Sequence, residues 1–347
     1  MRFIGGKTLI IPYIIELIKE KTIDVKSISD VFAGSGVVSR EFKNFGYDVI
    51  SNDLMYFSYV LLRGTVGINS KLDFKSLGIS DPIEYLNNLS LENMNIDQSK
   101  CFIYQNFSPK GGRMYFTEEN ALKIDLIRVQ IENWYNDSLI NEDEYFYLLT
   151  CLIEAVPFVS NITGVYGAYL KHWDNRSLNN IELKKIDLST SKSVGKAYNE
   201  DSNELIESIS TDLAYFDPPY NQRQYLPNYH VLETIAKYDN PEIKGVTGLR
   251  DYSEQKSNYC RKDSVLSTFD DLIRRTNSRY IILSYNTEGL LSHDEIISIL
   301  EKYGKKNTVD YKFIDYKRYK NAQTNKNKNL KEVLYFVEKE QLWAEII

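Results

Sequence analysis

Ser27-Ile28-Ser29-Asp30-Val31-Phe32-Ala33-Gly34-Ser35-Gly36, then residues 37–45, then Gly46-Tyr47-Asp48-Val49-Ile50-Ser51-Asn52-Asp53, is the stretch that decides the fold. Residues 27–32 read as a strand, 33–36 as a tight turn, 37–45 as a helix and Asp48–Asn52 as a second strand. This β-turn-α-β order opens a doubly wound α/β sheet. Glycines after a strand let the backbone pass close to a ligand, and the next helix offers its positive N-terminus. Where a dinucleotide pattern would place a third glycine, this chain has Ser39. Asp53 closes the second strand, where a carboxylate can accept both ribose hydroxyls. A lone G-x-G is also an ordinary tight turn. Strand, helix, second strand and acid in register favour a nucleoside site at Gly34, Gly36 and Asp53.

Outward from this unit, apolar residues at helical spacing predict a helix over 9–19. Residues 70–115 show weak periodicity, and two helices are expected near 118–135 and 141–156. A loop-like run follows at 160–167. Sheet character returns at 213–216 and 280–284, and the stretches 310–319 and 332–337 alternate like a β-hairpin. The expectation is a Rossmann-like doubly wound α/β domain, residues 1–70 and 190–347, interrupted by a mostly helical insertion, 71–189.

Composition narrows the function classes. Of 347 residues 43% are hydrophobic, enough for a core. Apolar stretches reach only about ten residues, too short to span a bilayer, and the N-terminus lacks a signal-peptide pattern. The 3 cysteines and 3 histidines lie far apart, which excludes a disulfide framework and gives no zinc-type spacing. A cytoplasmic, metal-independent protein follows as the expectation. With 42 basic against 48 acidic residues the net charge is −6, which argues against a uniformly basic nucleic-acid binder but leaves room for one local basic face. The 27 tyrosines suit surfaces that stack on bases, although an AT-rich coding sequence would also supply them.

The second motif is Asp217-Pro218-Pro219-Tyr220, directly after the apolar run Leu213-Ala214-Tyr215-Phe216. The exocyclic amine of adenine is a poor nucleophile because its lone pair is delocalised into the ring. Two acceptors aimed at its N–H bonds favour the pyramidal form that develops in a transition state. Asp217 offers a carboxylate and Pro218 a main-chain carbonyl. Pro218 and Pro219 stiffen the turn, and Tyr220 presents a ring on which an extruded base can stack. A third, weaker motif is Phe3-Ile4-Gly5-Gly6-Lys7, with close-approach glycines and a cation for a carboxylate.

In this order, Phe3 to Lys7, Phe32 to Gly36, Asn52-Asp53 and Asp217 to Tyr220 resemble the D12 class of DNA adenine-N6 methyltransferases, in its α order of motifs. Within that class the chain is similar to the FokI-type modification methylases, through Arg113 to Thr117, Asn161 to Tyr166, Asn221 to Tyr225 with Asn228-Tyr229-His230, and Tyr316 to Tyr319. The resemblance implies S-adenosyl-L-methionine as methyl donor. It implies Phe3 and Lys7 against the methionine part of the cofactor, the backbone at Gly34 and Gly36 beneath it, Asp53 on the ribose, Asp201 near its adenine, and Asp217 touching both donor and base. Double-stranded DNA would be the substrate, and a cognate restriction endonuclease a possible companion. A catalytically silent DNA-binding module, an RNA adenine methyltransferase and a protein-glutamine methyltransferase are the alternatives, the last disfavoured by Asp217 where those enzymes carry asparagine.

Arg223 and Tyr225, just after the catalytic turn, are expected to order on DNA. Residues 312–331 hold seven Lys/Arg and one acid. In that run Lys317, Arg318 and Lys320 are candidates for phosphate contact, unless the run is only a solvated hairpin.

Overall fold

The computed structural model describes residues 6–92, 96–315 and 331–340. Among these, the first unit forms as its sequence dictates. Helix α1 (Ile11–Lys21) precedes strand β1 (Ser27–Asp30), helix α2 (Val37–Asn44), strand β2 (Asp48–Asn52) and helix α3 (Tyr56–Arg63). Strand β1 stops two residues short of the expected Phe32. The Val31 carbonyl leaves the ladder to accept from Asn52 Nδ2 (3.2 Å) and Ser202 Oγ (2.8 Å), which turns the chain into the glycine loop. Gly34 and Gly36 sit at φ +55° and +74°, backbone that a side chain rarely adopts. A Cβ on Gly36 would also lie 2.8 Å from Leu62 Cδ2.

The middle of the chain holds the short helices α4 (Pro82–Asn87) and α5 (Phe102–Phe107), then the long α6 (Glu118–Asn136) and α7 (Glu142–Val159). Asp81 caps α4 by accepting from the Ile83 and Glu84 amides, with Pro82 in its first turn. Thr117 caps α6, and Asn141 and Glu144 make a reciprocal capping box on α7. The sheet resumes with β3 (Gly195–Tyr198), α8 (Ser202–Ser208), β4 (Thr211–Phe216) and α9 (Leu226–Lys237). A two-stranded ribbon, β5 (Ile243–Lys244) with β6 (Leu249–Arg250), leads to α10 (Val265–Arg275), β7 (Ser278–Asn286), α11 (His293–Tyr303), β8 (Asp310–Asp315) and β9 (Lys331–Glu338).

Among the described residues seven strands make one sheet in the order β3-β2-β1-β4-β7-β9-β8. The first five run parallel, and β9 enters antiparallel between β7 and β8. The two-residue period of β4 sorts its side chains. Leu213 and Tyr215 join α1 and α2 on one face, while Ala214 and Phe216 join α8, α10 and α11 on the other. A further helical core packs α4 to α7 with α3 and α9. No described helix is long and apolar enough to cross a membrane.

Candidate active site

Strand order reverses between β2-β1 and β4, so the carboxyl ends of these strands splay apart, and ligands of open α/β sheets bind in the crevice this leaves. Here it is a cleft with about 1000 Å³ of space, part of it open to solvent. Each neighbouring strand sends an acid to its rim or floor: Asp30 from β1, Asp53 after β2, Asp201 after β3 and Asp217 after β4.

Asp53 braces the glycine loop. Its Oδ2 accepts from the Gly34 amide at 2.8 Å and its Oδ1 from the Met55 amide at 2.9 Å. Burial pushes its carboxyl up to about 6, against the pull of those amides. Asn52 beside it clamps the loop after β3, donating to the Glu200 carbonyl (3.0 Å) and accepting from the Glu200 amide (2.9 Å). This places Asp201, exposed and capping α8, at the cleft wall. Ser39, in the place of a third glycine, is buried and donates to Asp30 Oδ2 at 2.6 Å. Asp30 Oδ1 has no well-formed hydrogen bond. Burial first, and the nearby Asp217 and Asp53 charges after it, push Asp30 up to about 7 despite Ser39.

Asp217 opens the turn after β4. Lys7 Nζ lies 3.0 Å from its Oδ1 and also contacts Glu332 Oε1, which accepts from Ser284 Oγ at 2.6 Å. The Lys7 and Glu332 side chains are 5% exposed and that of Asp217 18%, so Asp217 is the member of the cluster that a ligand can reach. Burial raises Asp217; Lys7 pulls it back and Glu332 pushes it up, for a value of about 6. Burial alone would lower Lys7, but the two carboxylates outweigh it and hold the ammonium firmly charged. Lys7 therefore meets two protein carboxylates, Asp217 and Glu332, in line with the cation for a carboxylate that the sequence suggested. Its Nζ also stands 5.8 Å from the Tyr220 ring centroid, and Tyr220 meets Tyr285 edge to face at 6.3 Å.

Of the remaining expected residues, Pro219 and Tyr225 line the same cleft, Pro218 is buried beneath the turn, and Arg223 is exposed beside it. Phe3, Lys317, Arg318 and Lys320 lie outside the described residues. Sequence reasoning missed the far wall. Gln224 exchanges two hydrogen bonds with the Ser257 backbone (3.0 and 2.8 Å), Gln255 donates to the buried Glu233 at 2.7 Å, and Tyr259 meets Phe32 edge to face at 5.1 Å. Glu332 was missed too, though a lone acid starting the apolar run Val333 to Val337 was a readable signal.

A doubly wound sheet with an antiparallel strand slipped in beside its last parallel ones, and an acid-lined cleft at the reversal of its strand order, is the frame of the Rossmann-like methyltransferases. The sequence matches the family model described as D12 class N6 adenine-specific DNA methyltransferase over residues 3–299, and the chain belongs to that family. It is 47% identical over 346 residues to Type II methyltransferase M.FokI of Planomicrobium okeanokoites, an overlap of 98% of this chain and 53% of that protein. It is 43% identical over 343 residues to modification methylase StsI of Streptococcus sanguinis, 98% of this chain and 52% of that protein. The chain thus spans about half the length of these two relatives. Type II methyltransferase M.NlaIII of Neisseria lactamica is 38% identical over 349 residues, 98% of this chain and 99% of that protein.

Proposed function

We propose that this chain is a site-specific DNA methyltransferase that moves a methyl group from S-adenosyl-L-methionine to N6 of an adenine flipped out of duplex DNA. The observation that carries the reading is Asp217, a half-buried acid whose reachable edge faces the cleft at the reversal of strand order. The cleft suits the donor in its chemistry. Asp53 can accept from ribose hydroxyls, the under-bonded Asp30 Oδ1 is a buried polar atom at the cleft lining, and Phe32 with Tyr259 offers aromatic surface to a base. When bound, the donor supplies an electrophilic methyl on a sulfonium.

The chain's own residues do the rest. Asp217 and the Pro218 carbonyl accept the two N–H bonds of the adenine amine, so that its lone pair concentrates on nitrogen. Asp217 stands as acceptor for the proton that nitrogen sheds. The Tyr220 ring supports the extruded base, whose removal from the stack costs a few kcal/mol. The region 71–189 serves target recognition in this reading. Its loop at 160–170 reaches the helix leading from the catalytic turn, where the Tyr166 amide donates to the Asn228 carbonyl at 2.8 Å. Arg223 and the basic run containing Lys317, Arg318 and Lys320 meet phosphates, which position DNA without reading it. A modification enzyme of this kind works in the cytoplasm, where a cognate endonuclease would cut the unmodified site.

The test is transfer of labelled methyl to duplex DNA, with RNA and protein offered in parallel and the product digested to nucleosides. Label in N6-methyladenine of duplex DNA is the expected result. Label confined to RNA or protein overturns the reading, and binding without transfer favours a catalytically silent module.

A further inference from the structure

We propose that Glu332 is a positioning residue of the transfer site: by taking a share of the Lys7 ammonium, it keeps Asp217 aimed at the cleft and free to accept from substrate. The proposal rests on the reading above, and its geometry comes from the far side of the sheet. Glu332 stands near the start of β9, opposite Asn286 at the end of β7, and so reaches the carboxyl end of the parallel strands from an antiparallel one. It is 4% exposed, and one oxygen, Oε1, collects both Lys7 Nζ and Ser284 Oγ. Two donors converging on one buried oxygen fix it in place. Lys7 is in turn fixed between Oε1 and Asp217 Oδ1, 3.0 Å away.

Consider the site without the Glu332 charge. A buried ammonium with one carboxylate partner turns wholly to it, occupying its lone pairs and making it a weaker base. With two partners the ammonium is divided. Among the described residues, the charged and titratable groups that act on Asp217 or feel its charge include Lys7 ahead of α1, Glu332 on β9, Asp30 on β1, Tyr215 on β4, and Tyr225 at the start of α9. Tyr220 belongs to the same turn. Lys7 is the cation in this set among the described residues, and how it is shared bears on how basic Asp217 remains. Consistent with this, Glu332 acts on the Asp217 carboxyl in the direction opposite to Lys7.

Glu332→Gln keeps the oxygen that Lys7 and Ser284 bond and removes its charge. In the kcat/KM–pH profile, which reports the free enzyme, the acid limb set near 6 by Asp217 should move to lower pH by roughly one unit. At pH 8 kcat should fall by up to about tenfold, with KM for donor and DNA unchanged. A carboxyl 13C NMR titration of Asp217 should show the same displacement without any turnover. An unmoved limb and an unmoved NMR titration overturn the proposal. If the NMR value moves while the wild type makes no N6-methyladenine, the functional reading fails and the positioning role stands. Should Glu332→Gln not fold, Glu332→Asp keeps the charge on a shorter arm. A lower kcat with the limb in place supports the role, and an unchanged kcat overturns it.

Discussion

Replacing Asp30 with asparagine should change stability in a way that depends on pH with a calculable slope. In the native protein Asp30 holds its proton up to about pH 7, against 3.8 when unperturbed, because burial dominates over the Ser39 hydrogen bond and the acids at Asp217 and Asp53 add to it. A raised carboxyl means that the native state binds the proton more tightly than the unfolded chain. The Asp30 contribution to wild-type stability is therefore whole below pH 3.8 and is lost as pH rises towards 7. Each unit is worth about 1.36 kcal/mol, so between pH 5 and pH 8 the wild type should lose roughly 2.5 kcal/mol that the Asp30→Asn variant does not. The introduced amide has a fixed cost, roughly 1–3 kcal/mol if its N–H finds no acceptor where Oδ1 stood. That cost shifts the whole curve and leaves the slope. Urea unfolding of both proteins at pH 5, 6.5 and 8, without donor, reads the difference directly. The Asp30→Asn protein should gain on the wild type at each step, while its affinity for S-adenosylmethionine falls. A stability gap that stays constant from pH 5 to pH 8 refutes the buried, protonating acid.

Three further changes probe the site and its support. Asp217→Ala should reduce methyl transfer by roughly 10²–10³ or more, since a preorganised acceptor is removed, while gel-shift affinity for DNA holds; near-normal turnover would sink the amine mechanism. Tyr220→Phe should retain most activity and Tyr220→Ala lose most of it, with 2-aminopurine fluorescence reporting extrusion; equal damage from both points to the hydroxyl instead of the ring. Gly64→Ala, at the end of α3, puts a methyl into Thr150 Oγ1 and the Phe146 carbonyl of α7, and should cost roughly 1–3 kcal/mol in urea unfolding. Unchanged stability there would mean that the two helices do not meet so closely.

The β1-turn-α2-β2 unit was legible almost to the residue because period, glycines and terminal acid are all local signals. The place where β1 ends was not, because Asn52 and Ser202 draw the Val31 carbonyl out of the ladder from 21 and 171 residues away. The helices α4 and α5 escaped notice for a different reason. At six residues each they are too short for periodicity to show, although Asp81-Pro82 carried a start signal for the first. In the site, Asp217 announced itself through its prolines. The partners that tune it did not, because Lys7 and Glu332 become neighbours only through the strand order of the finished sheet.

That last contact also sets a clock. Lys7 and Glu332 are 325 residues apart in the chain, and at 5–20 residues per second a ribosome needs roughly a quarter-minute to a minute to deliver the second after the first. Until β9 emerges and slots in beside β7, the site lacks one of its two anchors for Lys7. A nascent chain can thus fold its first β-turn-α-β unit early while the second anchor of Lys7 waits for the sheet to close. Quality control is then part of the topology: the acid cluster at the cleft is complete only once β9 has found its place beside β7.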